Sequence, residues 1–457
     1  MSVRAYILDN YNLVMNKSLL LTLLLMTAGS ANAVEISSLR QGVDYALAHN
    51  RMLAMDNSSV DQSRANQDLA KSQFMPRLDL STGVVRTDAP GSFFGTKLNQ
   101  QRIKAADFTP AFLNNPGFIN NYQTRLNINM PLYQGGAMWA GKEQADHDVE
   151  ASELQHEYMQ QQIVFQTIHA YTRARQAKAA IQAMQAAVNA AEKRHQDTLV
   201  LEKRGVLIAS DVMDARVHLL RSELKFKQAN NIYAHTLEQL QRVLALDSDA
   251  RLNVDGEPEL VTEQMTLAAA LEKSLQQRVD LKAMEASYRA SKAGVDASKA
   301  TFLPRVDLVA GQEWNASTPA LKNRNSMIGA TVSMNLFSGG ADRARLRASR
   351  AKEMNMAYKI SDLKQQIHNE VTQAWRMLDE SKISDASERE ALKQSEESLR
   401  IKSLRYQQGL AKTSDLLDAQ LQVDTTRLAS IRAKYDVTIA KAALQLAVGT
   451  LNEEIIQ

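Results

Sequence analysis

The residues of this chain best placed to act on charge are two pairs of aspartates. Asp415 and Asp418 stand three positions apart, as do Asp211 and Asp214, a spacing that puts both side chains on one face of a helix. Repeated around a pore by symmetry, such carboxylates form a ring that favours cations and resists anions. The ordinary alternative is helix capping. Acids in a first helical turn meet the positive end of the helix dipole, and Ser210 and Ser414 are the candidate N-caps. Little else in the sequence points to chemistry. Cysteine is absent, which excludes thiol catalysis and a lipid-modified cysteine. The eight histidines are scattered without metal-ligand spacing, and the run Asp146, His147, Asp148 reads as solvated helix surface. No glycine-rich phosphate loop and no nucleophile elbow occurs. The chain is therefore not expected to be an enzyme, nor to need a cofactor or metal. A net charge of +3 over 457 residues leaves no footprint for nucleic acid.

Both acid pairs follow a glycine that interrupts a very long helical run. Residues 341–408 contain neither Gly nor Pro, and about 70 residues at about 1.5 Å each make a rod of roughly 100 Å. Ile360, Leu363, Ile367, Val371, Ala374 and Leu378 trace a seam along it, and Leu421, Leu428, Ile431, Tyr435, Ile439 and Leu446 trace one on the return. Seams of this step pack helix against helix as in a coiled coil, so the two limbs form an antiparallel hairpin with residues 409–414 at its tip. The same hairpin occurs earlier: a rod over residues 137–204, a turn at Gly205 and a return over 211–246. Gly205 and Gly409, Asp211 and Asp415, and Ala215 and Ala419 are all 204 apart. A constant offset over many positions marks an internal duplication.

Each hairpin is preceded by a pair of strands. A helix over residues 34–73 is stopped by Pro76, after which Leu78, Leu80, Thr82 and Val84 alternate with Arg77, Asp79, Ser81 and Gly83. A second strand sets Leu126, Ile128, Met130 and Leu132 against Arg125, Asn127 and Asn129. Such alternation suits a strand between lipid and a watery lumen, and equally a half-buried soluble sheet. In the second copy Leu267, Leu275, Leu281 and Ala293 match Leu39, Leu47, Leu53 and Ala65 at an offset of 228. Its strands carry Val306, Leu308 and Ala310, then Ile328, Ala330, Val332, Met334 and Leu336. Gly135 with Gly136, and Gly339 with Gly340, free the backbone to swing from strand into helix. The loop over residues 87–121 holds Phe93, Phe94, Phe108, Phe112 and Phe118 and is expected to be a compact surface cap. The loop over 315–324 is shorter, which absorbs the fall in offset from 228 to 204.

The expected organisation is a secretory signal over residues 1–33, a first repeat over 34–246, a polar connector over 247–263 and a second repeat over 264–457. The signal consists of Lys17, an apolar run over 19–26 and the cleavage site Ala31, Asn32, Ala33, with Met15 as an alternative start. Four strands cannot close a barrel in lipid, where open edges go unsatisfied and about eight strands are the minimum. Three copies would supply twelve. The half-length helices, stacked end to end, would match the long struts and continue the barrel as a helical tube. The rival class is a soluble periplasmic coiled-coil adaptor or scaffold, which accounts for the rods but not for the strands.

In this order the chain resembles the TolC family of outer-membrane efflux proteins over essentially its whole mature length. The resemblance is carried by the helix-to-strand junctions at Pro76 and Pro304, the strand-to-helix junctions over residues 132–136 and 336–340, and the tips at Gly205 and Gly409. It implies a mainly α fold with a small β part: a trimeric α-barrel of long coiled coils continued by a twelve-stranded β-barrel. It implies a duct from the periplasm through the lipid of the outer membrane, serving tripartite efflux or type I secretion. A periplasmic adaptor and an inner-membrane pump of the RND, ABC or MFS type would be its partners. It also implies a periplasmic gate at Asp415 and Asp418, latched by tip contacts for which Asp211 and Tyr406 stand at matching positions. The matching basic position holds Ala411, with Lys412 beside it. Adaptor contacts are expected at Gly205, Val206, Leu207, Gly409, Leu410 and Ala411.

Overall fold

The computed structural model describes residues 36–247, 250 and 252–456, so the expected signal segment lies outside the described residues. Helix α1 (Leu39–His49) begins at Ser38, whose hydroxyl accepts from the Gln41 N–H. Helix α2 (Arg51–Ser72) follows after a break at Asn50, where the backbone is extended. The single helix expected over 34–73 is therefore two. The Asn50 side-chain oxygen accepts from the Met52 N–H at 2.8 Å and its amide donates to the Val243 carbonyl at 2.7 Å, so the break is sealed at both ends. Strand β1 (Arg77–Thr87), the short helices α3 (Pro90–Asn99) and α4 (Pro110–Asn114), and strand β2 (Ile119–Gln134) come next, then α5 (Ala137–Lys203) and α6 (Ala209–Val243).

The second copy runs α7 (Leu267–Gln277), α8 (Val279–Lys299), β3 (Arg305–Ala316), β4 (Arg324–Ser333), α9 (Ala341–Gln407) and α10 (Thr413–Val448). It breaks at Arg278, 228 positions after Asn50. Arg278 donates to Asp280 at 2.6 Å, to Glu370 at 2.5 Å and to the Ala447 carbonyl at 3.4 Å. Val243 is the last residue of the return helix α6 and Ala447 the last but one of α10. Each break is thus the joint at which a half-length helix meets the returning one end to end. The long rod α5 packs along α2 near the sheet and along α6 beyond it, and α9 does the same with α8 and α10.

The four strands form one antiparallel sheet in the order β1-β2-β3-β4. Their helical columns follow the same order, since α5 also packs against α8. Met334 and Leu336, expected on the apolar face of the last strand, lie past its end at Ser333. The next ladder position on β3 is Pro304, which has no N–H to give. Among the described residues no helix is long and apolar enough to cross a membrane.

The loop over residues 87–121 folds on itself, as its aromatics suggest. Phe93 is buried edge-on against Phe112, Phe94 meets Phe108, and Lys97 pairs with Asp107 at 2.6 Å. Gln100 reaches Asn121, which donates to Asn315 at 2.7 Å and ties the cap to β2 and β3. The largest core lies at the joint of the first repeat. There Leu39 and Val43 pack with Ile163, Ile168, Tyr171 and Leu240, together with Val254 of the connector and Ile456 near the C-terminus. The connector is pinned down rather than free. The Tyr171 hydroxyl donates to the Gly256 carbonyl at 3.1 Å, and burial pushes this hydroxyl up to about 12. Glu257 is held by Arg175 at 2.6 Å and Lys434 at 2.9 Å.

Candidate functional site

At the far end of each hairpin the turn is made by a left-handed glycine, Gly205 with φ +72° and Gly409 with φ +71°. The Gly205 N–H reaches Glu202 O and the Val206 N–H reaches Leu201 O, at 2.8 and 2.9 Å. Gly409 with Tyr406, and Leu410 with Arg405, repeat both bonds at 2.9 and 2.8 Å. This double closure satisfies the last carbonyls of a helix and favours a residue without Cβ at its centre. It also drives the next side chain outward: Val206 is 66% and Leu410 64% exposed. A bare glycine beside an exposed apolar side chain is a notch and a knob, and the chain builds it twice.

The aspartates divide into two kinds. Asp211 accepts from the Ile208 N–H at 3.3 Å and Asp415 from the Lys412 N–H at 3.4 Å. These acids therefore close the first turns of α6 and α10. Ser210 and Ser414, expected as N-caps, lie inside those helices instead. The helices start a little earlier than the serines suggest because an acid at the third helical position reaches back to the chain before it. Asp214 and Asp418, one turn on, are exposed and have no such bond. They line a groove of about 340 Å³ between α6 and α10, together with His218, Arg221, Lys225 and Asp424. Tyr406 is half-buried and accepts a long hydrogen bond from Thr413 at 3.5 Å. Among the described residues it makes no hydrogen bond to Asp211 within one chain.

Sequence reasoning missed the polar cluster beneath this groove. Arg194 of α5, His218 of α6 and Asp424 of α10 converge there, with Asp424 buried and accepting from Gln420 at 3.0 Å. Burial lowers the pKa of His218 and of Arg194, and the Asp424 carboxylate opposes both shifts. One nitrogen of Arg194 and one of His218 have no hydrogen-bond partner. The signal was there in the periodicity. Ala187, Ala191 and Thr198 are buried on α5, and Arg194 falls on their stripe.

The junction glycines also differ from each other. Gly135 and Gly136 have φ +63° and +92°, and Gly339 and Gly340 have φ +63° and +90°. A methyl group at Gly135 would collide with the Ala300 carbonyl oxygen, whereas Gly339 faces open space within one chain. Pro76 and Pro304 stand immediately before β1 and β3. Among the described residues no group of His, Cys, Asp and Glu could hold a metal ion.

A duplicated body of four strands and four helical columns, with free strand edges and paired helical tips, defines a class of chain that builds a membrane duct by association. The comparisons give the class its name. The family model described as outer membrane efflux protein matches residues 42–246 and 270–450, and the chain belongs to that family. It is 24% identical to Protein CyaE of Bordetella pertussis over 93% of this chain and 87% of that protein. To the probable efflux pump outer membrane protein TtgC of Pseudomonas putida it is 22% identical, over 90% and 83%. The solved structure of the outer membrane protein VceC of Vibrio cholerae shares the fold at a TM-score of 0.76 and 19% identity, covering 90% of this chain and 96% of that one. The chain is an outer-membrane channel protein and not an enzyme, which sets aside the soluble adaptor. Channels of this family are homotrimers that work with periplasmic adaptors and inner-membrane pumps.

Proposed function

We propose that three copies of this chain form an exit duct for efflux or type I secretion, gated at the hairpin tips and docked there to the adaptor. The gate is assigned to Asp415 and Asp418, with Asp211 and Tyr406 in the latch between hairpins. The adaptor contacts are assigned to Gly205, Val206 and Leu207 and to Gly409, Leu410 and Ala411. The observation that carries this reading is the pair of matched tips, each presenting an exposed apolar side chain beside a left-handed glycine and an acidic turn. Three copies place six carboxylates from Asp415 and Asp418 around one mouth. The ring narrows the mouth and attracts cations, and pairing or repulsion within it biases closure.

Single-channel recording in planar bilayers tests it. Replacing both Asp415 and Asp418 by Ala should raise conductance and weaken cation over anion selectivity. Asp418→Ala alone should shift selectivity with little effect on folding, because only Asp415 caps its helix. Unchanged conductance and selectivity in the double variant would remove the gate assignment and leave the fold intact.

A further inference from the structure

The internal repeat is exact enough to be used as a ruler. Adding 228 to each β1 residue and 204 to its β2 partner turns the β1–β2 ladder into the β3–β4 ladder: Arg77↔Asn129 becomes Arg305↔Ser333, and Leu80↔Leu126 becomes Leu308↔Ala330. The helices obey the same shifts. The Ser63 and Ser152 hydroxyls meet at 2.7 Å across α2 and α5, and Ser298 and Ser349 meet at 2.7 Å across α8 and α9, in the same register two turns nearer the sheet. The contact between repeats, β2 with β3 and α5 with α8, has no counterpart within one chain. Its counterpart is the contact between copies, β4 with β1 and α9 with α2.

Applying the shifts to the β2–β3 ladder predicts that contact. Leu126↔Gln312 becomes Ala330↔Val84 of the next copy, Ile128↔Ala310 becomes Val332↔Thr82, and Met130↔Leu308 becomes Met334↔Leu80. The predicted register sets the apolar series of β4 opposite that of β1, whereas a slip of one residue would turn one strand over. Met334, past the end of β4 in the single chain, gains a partner in Leu80 of the next copy, and beyond the β2 bulge Tyr133↔Val306 becomes Phe337↔Leu78. The Ala300 carbonyl that crowds Gly135 maps onto the Ser72 carbonyl of the next copy, which fills the open space at Gly339.

On the helices, the ion pair between Arg289 and Glu150 at 2.6 Å maps onto Asp61 and Met354. Two turns nearer the sheet, on the same edge, the mapped pair is Asp68 with Arg347. Arg343, Arg347 and Arg350 form an exposed stripe along α9 and make no ion pair within the chain among the described residues. Asp61 and Asp68 have only exposed neighbours on their own helix, Arg64 at 3.8 Å and Lys71 at 3.2 Å. We propose that the occupant of these free faces is a second copy of this chain in one defined register. The Arg343, Arg347 and Arg350 stripe of α9 lies against Asp61 and Asp68 of the next α2, and β4 pairs with the next β1 as Ala330↔Val84. This inference rests on the trimer reading and adds the residue-level contact to it.

The chain has no cysteines, so engineered pairs report without background. Purified protein in mild detergent carrying both Val84→Cys and Ala330→Cys should convert under mild oxidation to a covalent trimer on denaturing gels. Val84→Cys with Val332→Cys, two residues off register on the same face, should link at least about tenfold less, because diagonal neighbours lie beyond disulfide reach. Equal linking in the shifted pair, or none in the predicted pair while wild-type protein is trimeric by light scattering, overturns the register. A monomeric wild type would instead overturn the trimer reading beneath it. For the stripe, Asp68→Arg and Arg347→Asp should each lower the temperature at which trimers dissociate, and the double swap should recover most of the loss. Additive losses in the double swap would overturn the pairing.

Discussion

Removing Arg278 should be among the most damaging single changes in the helical tube. The guanidinium is 4% exposed, wedged where α7 and α8 meet the end of α10. Burial works against its charge, but the carboxylates of Asp280 and Glu370 outweigh that cost and raise its pKa, so it stays protonated throughout the accessible pH range. In Arg278→Ala the two acids fare differently. The Glu370 side chain is 51% exposed and regains water, whereas that of Asp280 is 12% exposed and keeps a charge without a partner. Breaking a buried pair in this way costs about 3–5 kcal/mol, and relief at Glu370 puts the expected loss near about 3 kcal/mol per chain. Asn50→Ala, at the equivalent joint of the first repeat, removes one neutral hydrogen bond and one cap, worth about 1–2 kcal/mol. Thermal unfolding followed by circular dichroism at fixed protein concentration compares the two variants. If Arg278→Ala lowers the midpoint no more than Asn50→Ala does, the charged joint is not what holds the second repeat together.

Two more outcomes follow from the same geometry. Gly449 and Ala245 are 204 apart and both left-handed, with φ +83° and +55°. A methyl group at Gly449 would press on Arg278 Cα at 2.9 Å, so Gly449→Ala should lose about 2 kcal/mol or more, while Ala245→Gly should gain about 0.5–1 kcal/mol. Opposite signs in chemical denaturation confirm the pairing, and a loss in both refutes it. His218 is surrounded by Arg194 of α5, Asp424 of α10, and Arg221 and Lys225 of its own helix. Its pKa is lowered on folding, so the unfolded chain binds the proton first. The stability it contributes is present above about pH 6.5 and is lost as pH falls from there. His218→Gln should flatten the dependence of melting temperature on pH between neutral and mildly acidic buffer, and an unchanged slope would exclude this histidine as its source.

The duplication, the four strands and both tips were legible because each is written twice at a constant offset. What escaped was written once or looked ordinary. Asn50 and Arg278 are not helix breakers by propensity. They mark a joint only when the repeat is laid over itself and both fall at the same place, each bonded to the last turn of a returning helix. The N-caps were misplaced because Ser210 and Ser414 outrank Ile208 and Lys412 by residue type, while the acid one position later decides where the helix begins. The cluster of Arg194, His218 and Asp424 has no motif spacing because its members come from three helices.

The two repeats are not mechanical equals, and the difference lies in how much of each rod one chain can cover. Both α5 and α9 are 67 residues long, yet α5 buries seventeen residues and α9 only four. Central α5 has columns on both sides, whereas α9 stands at an edge. Its exposed Met354 and Tyr358, at 59% and 69%, have no apolar cover within the chain. The return limbs reverse this, α6 burying five residues and α10 sixteen, so the exposed limb is the first-formed rod α9 in the second hairpin and the returning α6 in the first. A rod held mainly by neighbours can shift as they shift at less cost than one locked into its own chain. On the proposed gate assignment, the tip that carries Asp415 and Asp418 joins one such edge rod, α9, to a well-buried one, α10.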